Sequence, residues 1–315
     1  MTRIQRIIRS TFPYRYASVK SKTIYLPGFQ GLALFDVIVF FRSQIRKVGL
    51  NDRARSIAFS FLLAIPAATI FLCTLIPYLP VSKKITNQLL TVTREITPNQ
   101  NTYLLVSNFL NDFLTKPRGG LLSIGLVISL YYASDAMIGL MRSFNKSLSP
   151  YSHFPRNFFQ NRLVAIQLTL VLILLIIGTG VILVTQDALL RYVFRALHIH
   201  SRSMKWLFKT LRWVVIIPLF YFAIAYIYKH APSIREKWRL FSPGTLLATI
   251  LMIMLSFVFS FWVNRFGTYN KVYGSIGTIL ILMIVIYFNA LILLVGFELN
   301  VSIHSLKEKV KQRKK

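Results

Sequence analysis

Apolar positions in this chain gather into six runs: Ser56–Leu79, Gly119–Met141, Leu163–Gln186, Trp213–Tyr228, Pro243–Asn264 and Gly274–Phe297. A helix needs about 20 such residues to cross the hydrocarbon core, so five runs predict spans outright and the fourth predicts a short one. None of the six contains a lysine or arginine. The pattern therefore predicts an all-α membrane protein with six transmembrane helices, because only helices and closed barrels satisfy their backbone in lipid.

Outside the runs the pattern changes from blocks to stripes. In Met1–Ser10, Ile4, Ile7 and Ile8 alternate with Arg3, Arg6 and Arg9, and from Leu32 to Leu50 the residues Leu34, Val37, Ile38, Phe41, Ile45 and Val48 recur at helical spacing beside Arg42, Arg46 and Lys47. A basic amphipathic helix of this kind lies on a bilayer surface, apolar face down; packing against the end of the bundle is the alternative. Between Pro80 and Arg118, Ile85, Leu89, Val92 and Ile96 make one stripe, and Leu105, Phe109, Leu110 and Phe113 make a second after Thr97 and Pro98. Residues 80–118 are thus expected to form an outer helical hairpin between spans 1 and 2. The chain divides into a basic tail with an interfacial helix (1–55), a six-span bundle (56–303) and a second basic tail (304–315). No short hydrophobic core with a small-residue cleavage pattern precedes the first run, which is read as the insertion signal itself.

Composition agrees with a membrane chain: 55% hydrophobic, 15% charged, mean hydropathy +0.56. The charge is lopsided, with 38 Lys and Arg against 9 Asp and Glu, a formal net charge of +29. Alternating the six spans puts 25 of the basic residues on the side of the termini and 13 on the other, so basic-residue bias predicts both termini in the cytoplasm. Few carboxylates remain for acid-base chemistry. The single cysteine, Cys73, excludes an internal disulfide and a thiolate-rich metal site, and no cofactor motif is present. His198 and His200 lie two apart, without a third ligand, and are read as surface residues rather than a metal site.

Candidate chemistry lies inside the spans. Thr245, Thr249, Ser256, Ser260 and Asn264 fall within about 100° of arc on a 3.6-residue helix, giving the fifth span one polar face. Such a face lines a hydrated path or glues helices together. Asn289 adds an amide in the sixth span, and Asp135, two turns before Arg142, is an acid well inside a span that needs a partner or water. Pro66 and Pro218 interrupt the first and fourth spans, as paired broken helices do in inverted-repeat transporters. The stretch from Phe266 to Gly277, rich in glycine and hydrogen-bonding side chains, reads as a tight outer turn with Tyr269 and Tyr273 at headgroup level. A phosphate cradle using Lys271 is the alternative there, though its spacing fits no nucleotide motif.

Three segments together resemble the signature of the YihY/virulence factor BrkB family of inner-membrane proteins. They are Ser242-Pro243-Gly244, the turn containing Gly267, Tyr269, Asn270, Lys271, Tyr273, Gly274 and Gly277, and Gly296-Phe297-Glu298-Leu299-Asn300. The run Leu130–Asn145, with Ser134, Arg142 and Asn145, and the proline at Pro66 extend the resemblance over Ala33–Ser302. It implies a bacterial inner-membrane location and no agreed biochemical activity. Members have been labelled ribonuclease BN, a label generally considered mistaken, and linked to serum resistance or lipid movement.

A metal-dependent nuclease needs clustered carboxylates, and Asp36, Asp52, Glu236 and Glu308 are scattered. No enzyme and no nucleic-acid partner are expected. The residues point instead to a transporter or lipid-translocating protein whose pathway candidates are Pro66, Asp135, Arg142, Pro218, Thr249, Ser256, Ser260, Asn264 and Asn289. A non-transporting membrane scaffold is the alternative. Expected partners are membrane lipids, with anionic headgroups drawn to the cytoplasmic face by Lys307, Lys309 and Lys311; a second copy or a partner protein is left open.

Overall fold

The computed structural model describes residues 25, 28–78, 87, 90–91, 93–94, 100–115, 119–148, 154–196, 202–234, 237–265 and 269–313, with most side chains outside 180–215 and 263–279. All its elements are helical: α1 (Leu34–Lys47), α2 (Leu50–Leu75) with a 3-10 turn at Ile76–Tyr78, α3 (Gln100–Thr115), α4 (Gly119–Asn145), α5 (Phe158–Ala196), α6 (Arg202–His230), α7 (Pro243–Arg265) and α8 (Tyr269–Arg313). Five are long and apolar enough to cross a membrane over their described residues: α2, α4, α5, α7 and α8. The described apolar part of α6, Ile216–His230, is shorter.

Several boundaries differ from the sequence expectation. The basic outer loop expected from Asp187 to Arg212 is helical as far as Ala196 and again from Arg202. Leu189, Leu190, Val193 and Phe194 carry a helical stripe past the end of the apolar run, which explains the extension. At 39 residues, α5 is about 58 Å long, well beyond the roughly 30 Å hydrocarbon layer. Likewise the glycine-rich turn expected at 266–277 is helical from Tyr269 on. Within the segment expected to form the hairpin, α3 packs on α2, and most of residues 80–99 lie outside the described residues, as does Met1–Ser10. Within the Leu32–Leu50 stripe, α1 packs on α8, with Val37 fully buried beside Phe29 and Ile303.

The long helices form a ring. Around it α2 packs on α4, α4 on α5, α5 on α6, α6 on α7, α7 on α8, and α8 back on α2. Among the described residues, the buried side chains crowd toward one end of that ring. Leu50, Ala54 and Ile57 open α2, Met137 to Phe144 close α4, Ile224 to Tyr228 close α6, and Ala248 and Met252 begin α7. In the middle of the cluster the rings of Phe144 and Phe297 stack at 3.9 Å and 10°, with Tyr228 edge-on to both. This plugged end is called the closed end below.

At the closed end α7 and α8 cross in backbone contact. A Cβ on Gly244 would lie 2.0 Å from the Gly296 carbonyl oxygen, and one on Gly296 would lie 2.5 Å from the Tyr228 hydroxyl. Small residues at such crossings let backbones approach where lipid supplies no hydrophobic drive. Gly244→Ala is therefore expected to destabilise the bundle by more than the roughly 1–3 kcal/mol typical of overpacking, because backbone must move. Gly139→Ala, whose Cβ would meet only Ser60 Oγ at 3.5 Å, should be neutral or gain up to about 1 kcal/mol from helix propensity. Thermal unfolding of the two variants in detergent measures the contrast, and equal midpoints would remove the crossing from the account.

Candidate functional site

The closed end is held by polar side chains at helix ends, where backbone groups lack partners within their own helices. Ser242 caps α7, its Oγ accepting the Thr245 amide at 3.3 Å, and Pro243 fills the first helical position, where no N–H is needed. Asn300 on α8 completes the cap: Oδ1 accepts the Gly244 amide at 2.9 Å and Nδ2 donates to Ser242 Oγ at 2.9 Å. At the end of α4, Asn145 exchanges two bonds with Ser233, donating to its Oγ at 3.1 Å and accepting its amide at 2.8 Å. Arg156 reaches the carbonyls of His230, Ala231 and Pro232 at 3.2, 3.1 and 2.9 Å, a cation on the negative end of α6. Burial lowers its pKa from the usual guanidinium value, yet arginine stays charged at physiological pH. The amide of Asn157 donates to Gln160 Oε1 at 3.1 Å, one half of a capping box opening α5.

At the meeting point of α2, α4 and α8 lies Glu298, with no exposed surface. Its Oε1 accepts a short hydrogen bond from Ser147 Oγ and faces Arg53 Nη1 at 3.7 Å. Arg53, only 14% exposed, also donates to Ser147 Oγ at 2.7 Å and to the Ser143 carbonyl at 3.1 Å. The second carboxylate oxygen, Oε2, and the nearby Ser302 Oγ are buried without a described partner. A carboxylate taken out of water is tolerated when an opposite charge and hydrogen bonds replace its hydration. Arg53 and Ser147 supply these for one oxygen only.

Glu298 is thus the signature residue that ties α8 to α2 and α4, as Asn300, Ser242 and Gly244 tie α8 to α7, and its partners Arg53 and Ser147 are not among the sequence candidates. Arg53 lies in the first turn of α2, three residues before the apolar run, and so had been counted with the tail. Asp135, in contrast, is 54% exposed and pairs with Arg162 of α5 at 3.5 Å, the guanidinium lying 4.2 Å over the Tyr131 ring. Arg142 is exposed, and the partner that the sequence leaves open for Asp135 is on the neighbouring helix. Pro66 and Pro218 lie inside continuous helices on exposed positions. Asn289 is half-buried and donates to the Val285 carbonyl of its own helix at 2.9 Å. Beyond their helical backbone, Asn264, Tyr269, Asn270, Lys271, Tyr273, Gly274 and Gly277 lie outside the described residues, and Gly267 lies outside them altogether. Among the described residues no three His, Cys, Asp or Glu side chains are grouped to hold a metal ion.

The polar face of α7 divides into two zones. Thr245 is 0% and Thr249 3% exposed, and Met252, on the same strip, is 5% exposed. One and two turns further, Ser256 and Ser260 continue that strip and are exposed. The side of α7 away from the ring is a different one, marked by Leu246, Ile250, Met254, Phe257 and Phe261, which are 48–65% exposed. The adjoining helix repeats the change: Ile224 and Ala225 are 3% and 1% exposed, while Ile217 and Pro218, seven residues earlier on the same faces, are exposed. On α6 and α7 these faces are thus covered at the closed end and uncovered toward the other, whereas α2 and α4 stay packed there, with Thr74, Gly125 and Ser129 buried.

The sequence model of the virulence factor BrkB family matches residues 41–315. The chain belongs to that family. It is 30% identical over 258 residues to the ribonuclease-like protein YfkH of Bacillus subtilis, covering 82% of this chain and 91% of that protein. It is 33% identical over 91 residues to a UPF0761 membrane protein of Idiomarina loihiensis, and 34% over 80 residues to one of Tolumonas auensis. Those two matches cover 29% and 25% of this chain and 32% and 26% of the relatives. No solved structure matches. The BrkB family model takes in α2 and α4 to α8, and with them every residue of the closed-end network.

For this BrkB-family protein the buried pair makes a sharp prediction. Arg53→Met alone strands the Glu298 charge and should cost about 3–5 kcal/mol, whereas Arg53→Met with Glu298→Met should recover most of the loss. A double-mutant cycle on detergent-unfolding free energies measures this coupling, and strictly additive costs would show that the pair does not interact.

Proposed function

We propose that this protein conducts a solute or a lipid through the six-helix ring, closed at the end where Glu298 lies and open at the other. The observation that carries the reading is the α7 strip, buried at Thr245 and Thr249 and exposed at Ser256 and Ser260 on the same side of the helix. A hydroxyl-lined opening above an aromatic plug is the arrangement expected of a path closed at one gate. In this reading α6 completes the six spans as the fourth in chain order, its short apolar part prolonged by the rest of the 29-residue helix. The closed end faces the cytoplasm of a bacterial inner membrane, in keeping with the 25 to 13 division of basic residues.

The ribonuclease-like name of YfkH belongs to that protein. Nothing in the placement of this chain's carboxylates favours carrying it over, since Asp36, Asp52, Asp135 and Glu308 are dispersed over α1, α2, α4 and α8. The competing reading is a scaffold whose ring is a rigid frame, and the half-buried, self-bonded Asn289 favours it.

The single cysteine makes the first test simple. In a Cys73→Ser background, Ser256→Cys and Ser260→Cys should react with a membrane-impermeant maleimide added from outside, and Thr249→Cys and Met254→Cys should not. Protection of both outer positions would remove the opening. Liposomes reconstituted with the protein should then pass small solutes or flip labelled anionic lipid, with Ser260→Leu reducing the rate several-fold. Flux equal to that of empty liposomes would leave the scaffold reading.

A further inference from the structure

A cavity lies on the rim of the closed end, beside the start of α7. It encloses about 630 Å³, within the range of small-ligand pockets, and three walls meet there. The first is the turn at residues 28–31, where Gly28, at φ +90°, passes so close to α7 that an added Cβ would lie 2.9 Å from Pro243 Cγ. The second is the strap from Trp238 to Ser242 that leads into α7. The third is the far end of α8, with Asn300, Ile303, His304 and Lys307.

Among the described residues the charge lining this cavity has one sign. Arg239 and Lys307 are exposed cations, His304 lies between the walls, and no aspartate or glutamate is among the described lining residues. Glu308, next to Lys307 in sequence, pairs with His304 Nε2 at 3.3 Å, and among the described residues Arg239 and Lys307 have no ion-pair partner. The floor is already satisfied: Asn300, Ser242 and the first amides of α7 bond one another. An anion would therefore be met by the two cationic side chains rather than by the helix terminus. Trp238 is held as a fixed wall between Phe297 at 5.1 Å and His304 at 6.3 Å.

What leads out of the cavity is apolar. Phe241, a lining residue, is 72% exposed and stacks at 5.7 Å on Tyr221, and Leu246 on the first turn of α7 is 55% exposed. These face outward where the apolar surface of α7 begins. Cations at the start of a span, an aromatic wall and an uncovered apolar lip match the two parts of one molecule, a phosphate-bearing headgroup and its acyl chains. We infer that this cavity binds the headgroup of an anionic phospholipid, with Arg239 and Lys307 on the phosphate and Phe241 and Leu246 against the chains. The site is independent of conduction through the ring, since none of its walls includes the α7 polar strip beyond the cap.

Native mass spectrometry of the full chain in detergent, titrated with phosphatidylglycerol or phosphatidylcholine, tests the assignment. Phosphatidylglycerol should be retained in preference, and Arg239→Gln with Lys307→Gln should weaken it by about fivefold per cation removed. Arg55→Gln with Lys146→Gln removes the same charge from exposed positions outside the cavity and should leave retention unchanged. Inorganic phosphate and glycerol phosphate should compete only weakly. Unchanged retention in the first double variant, or equal loss in the second, would overturn the site. Competition by inorganic phosphate as strong as that of the lipid would overturn the lipid assignment in favour of a soluble anion. Both variants change exposed residues, and their elution as folded monodisperse protein in size exclusion serves as the control.

Discussion

Glu298 is a carboxylate with no exposed surface, and the closed end is arranged around it. An isolated charge there would cost several kcal/mol, so its neighbours are constrained in chemistry and position. Arg53 comes from the first turn of α2, which brings its guanidinium within 3.7 Å of the glutamate that α8 presents. Ser147 must follow the end of α4 to accept from Arg53 and donate to Glu298 with one hydroxyl. Three helices are thereby tied in register. The Asn145–Ser233, Arg156 and Asn300 contacts extend the ties to α5, α6 and α7, so that the six ring helices are joined at one end by polar groups.

The contrast with the remainder of the ring is physical. In lipid, apolar side chains gain little by leaving the solvent for a neighbouring helix, so association falls to close packing and hydrogen bonds. Where glycines and caps provide both, the helices meet, as at Gly244 and Gly296. Beyond Met252 on α7 and Ala290 on α8 the inward positions carry serines and branched chains without such partners, and burial is lost. The shape of the bundle follows from where its polar connectors lie.

Much of this was legible from the chain alone. Runs free of lysine and arginine located α2, α4, α5, α7 and α8, because excluding charge from hydrocarbon is a strong constraint. The family signature was legible too, and Glu298 and Asn300 within it proved to be structural centres. Less legible were the helix ends beyond the apolar runs, since an amphipathic stripe such as Leu189–Phe194 reads as loop when only hydrophobicity is counted. The partners of the polar residues were not legible at all. Arg53 and Glu298 are far apart in sequence, Asp135 found Arg162 rather than Arg142, and no periodicity connects residues on different helices.

The same connectors restrict how the closed end could open. Separating α2 from α8 would part Arg53 from Glu298 and leave two desolvated charges, a loss far larger than that of breaking a surface pair. Separating α7 from α8 would expose the Gly244 amide and Asn300 at once. Asn145 and Ser233, by contrast, are neutral and only partly buried, and water can replace their two bonds. Any opening between α4 and α6 therefore leaves α4 with α2 and α8, since Ser147 bonds both Arg53 and Glu298. The rings divide accordingly: Phe144 and Phe297 stay stacked. Tyr228 of α6, edge-on to both rings and bonded to the Leu293 carbonyl, makes the contacts that such a movement must break first.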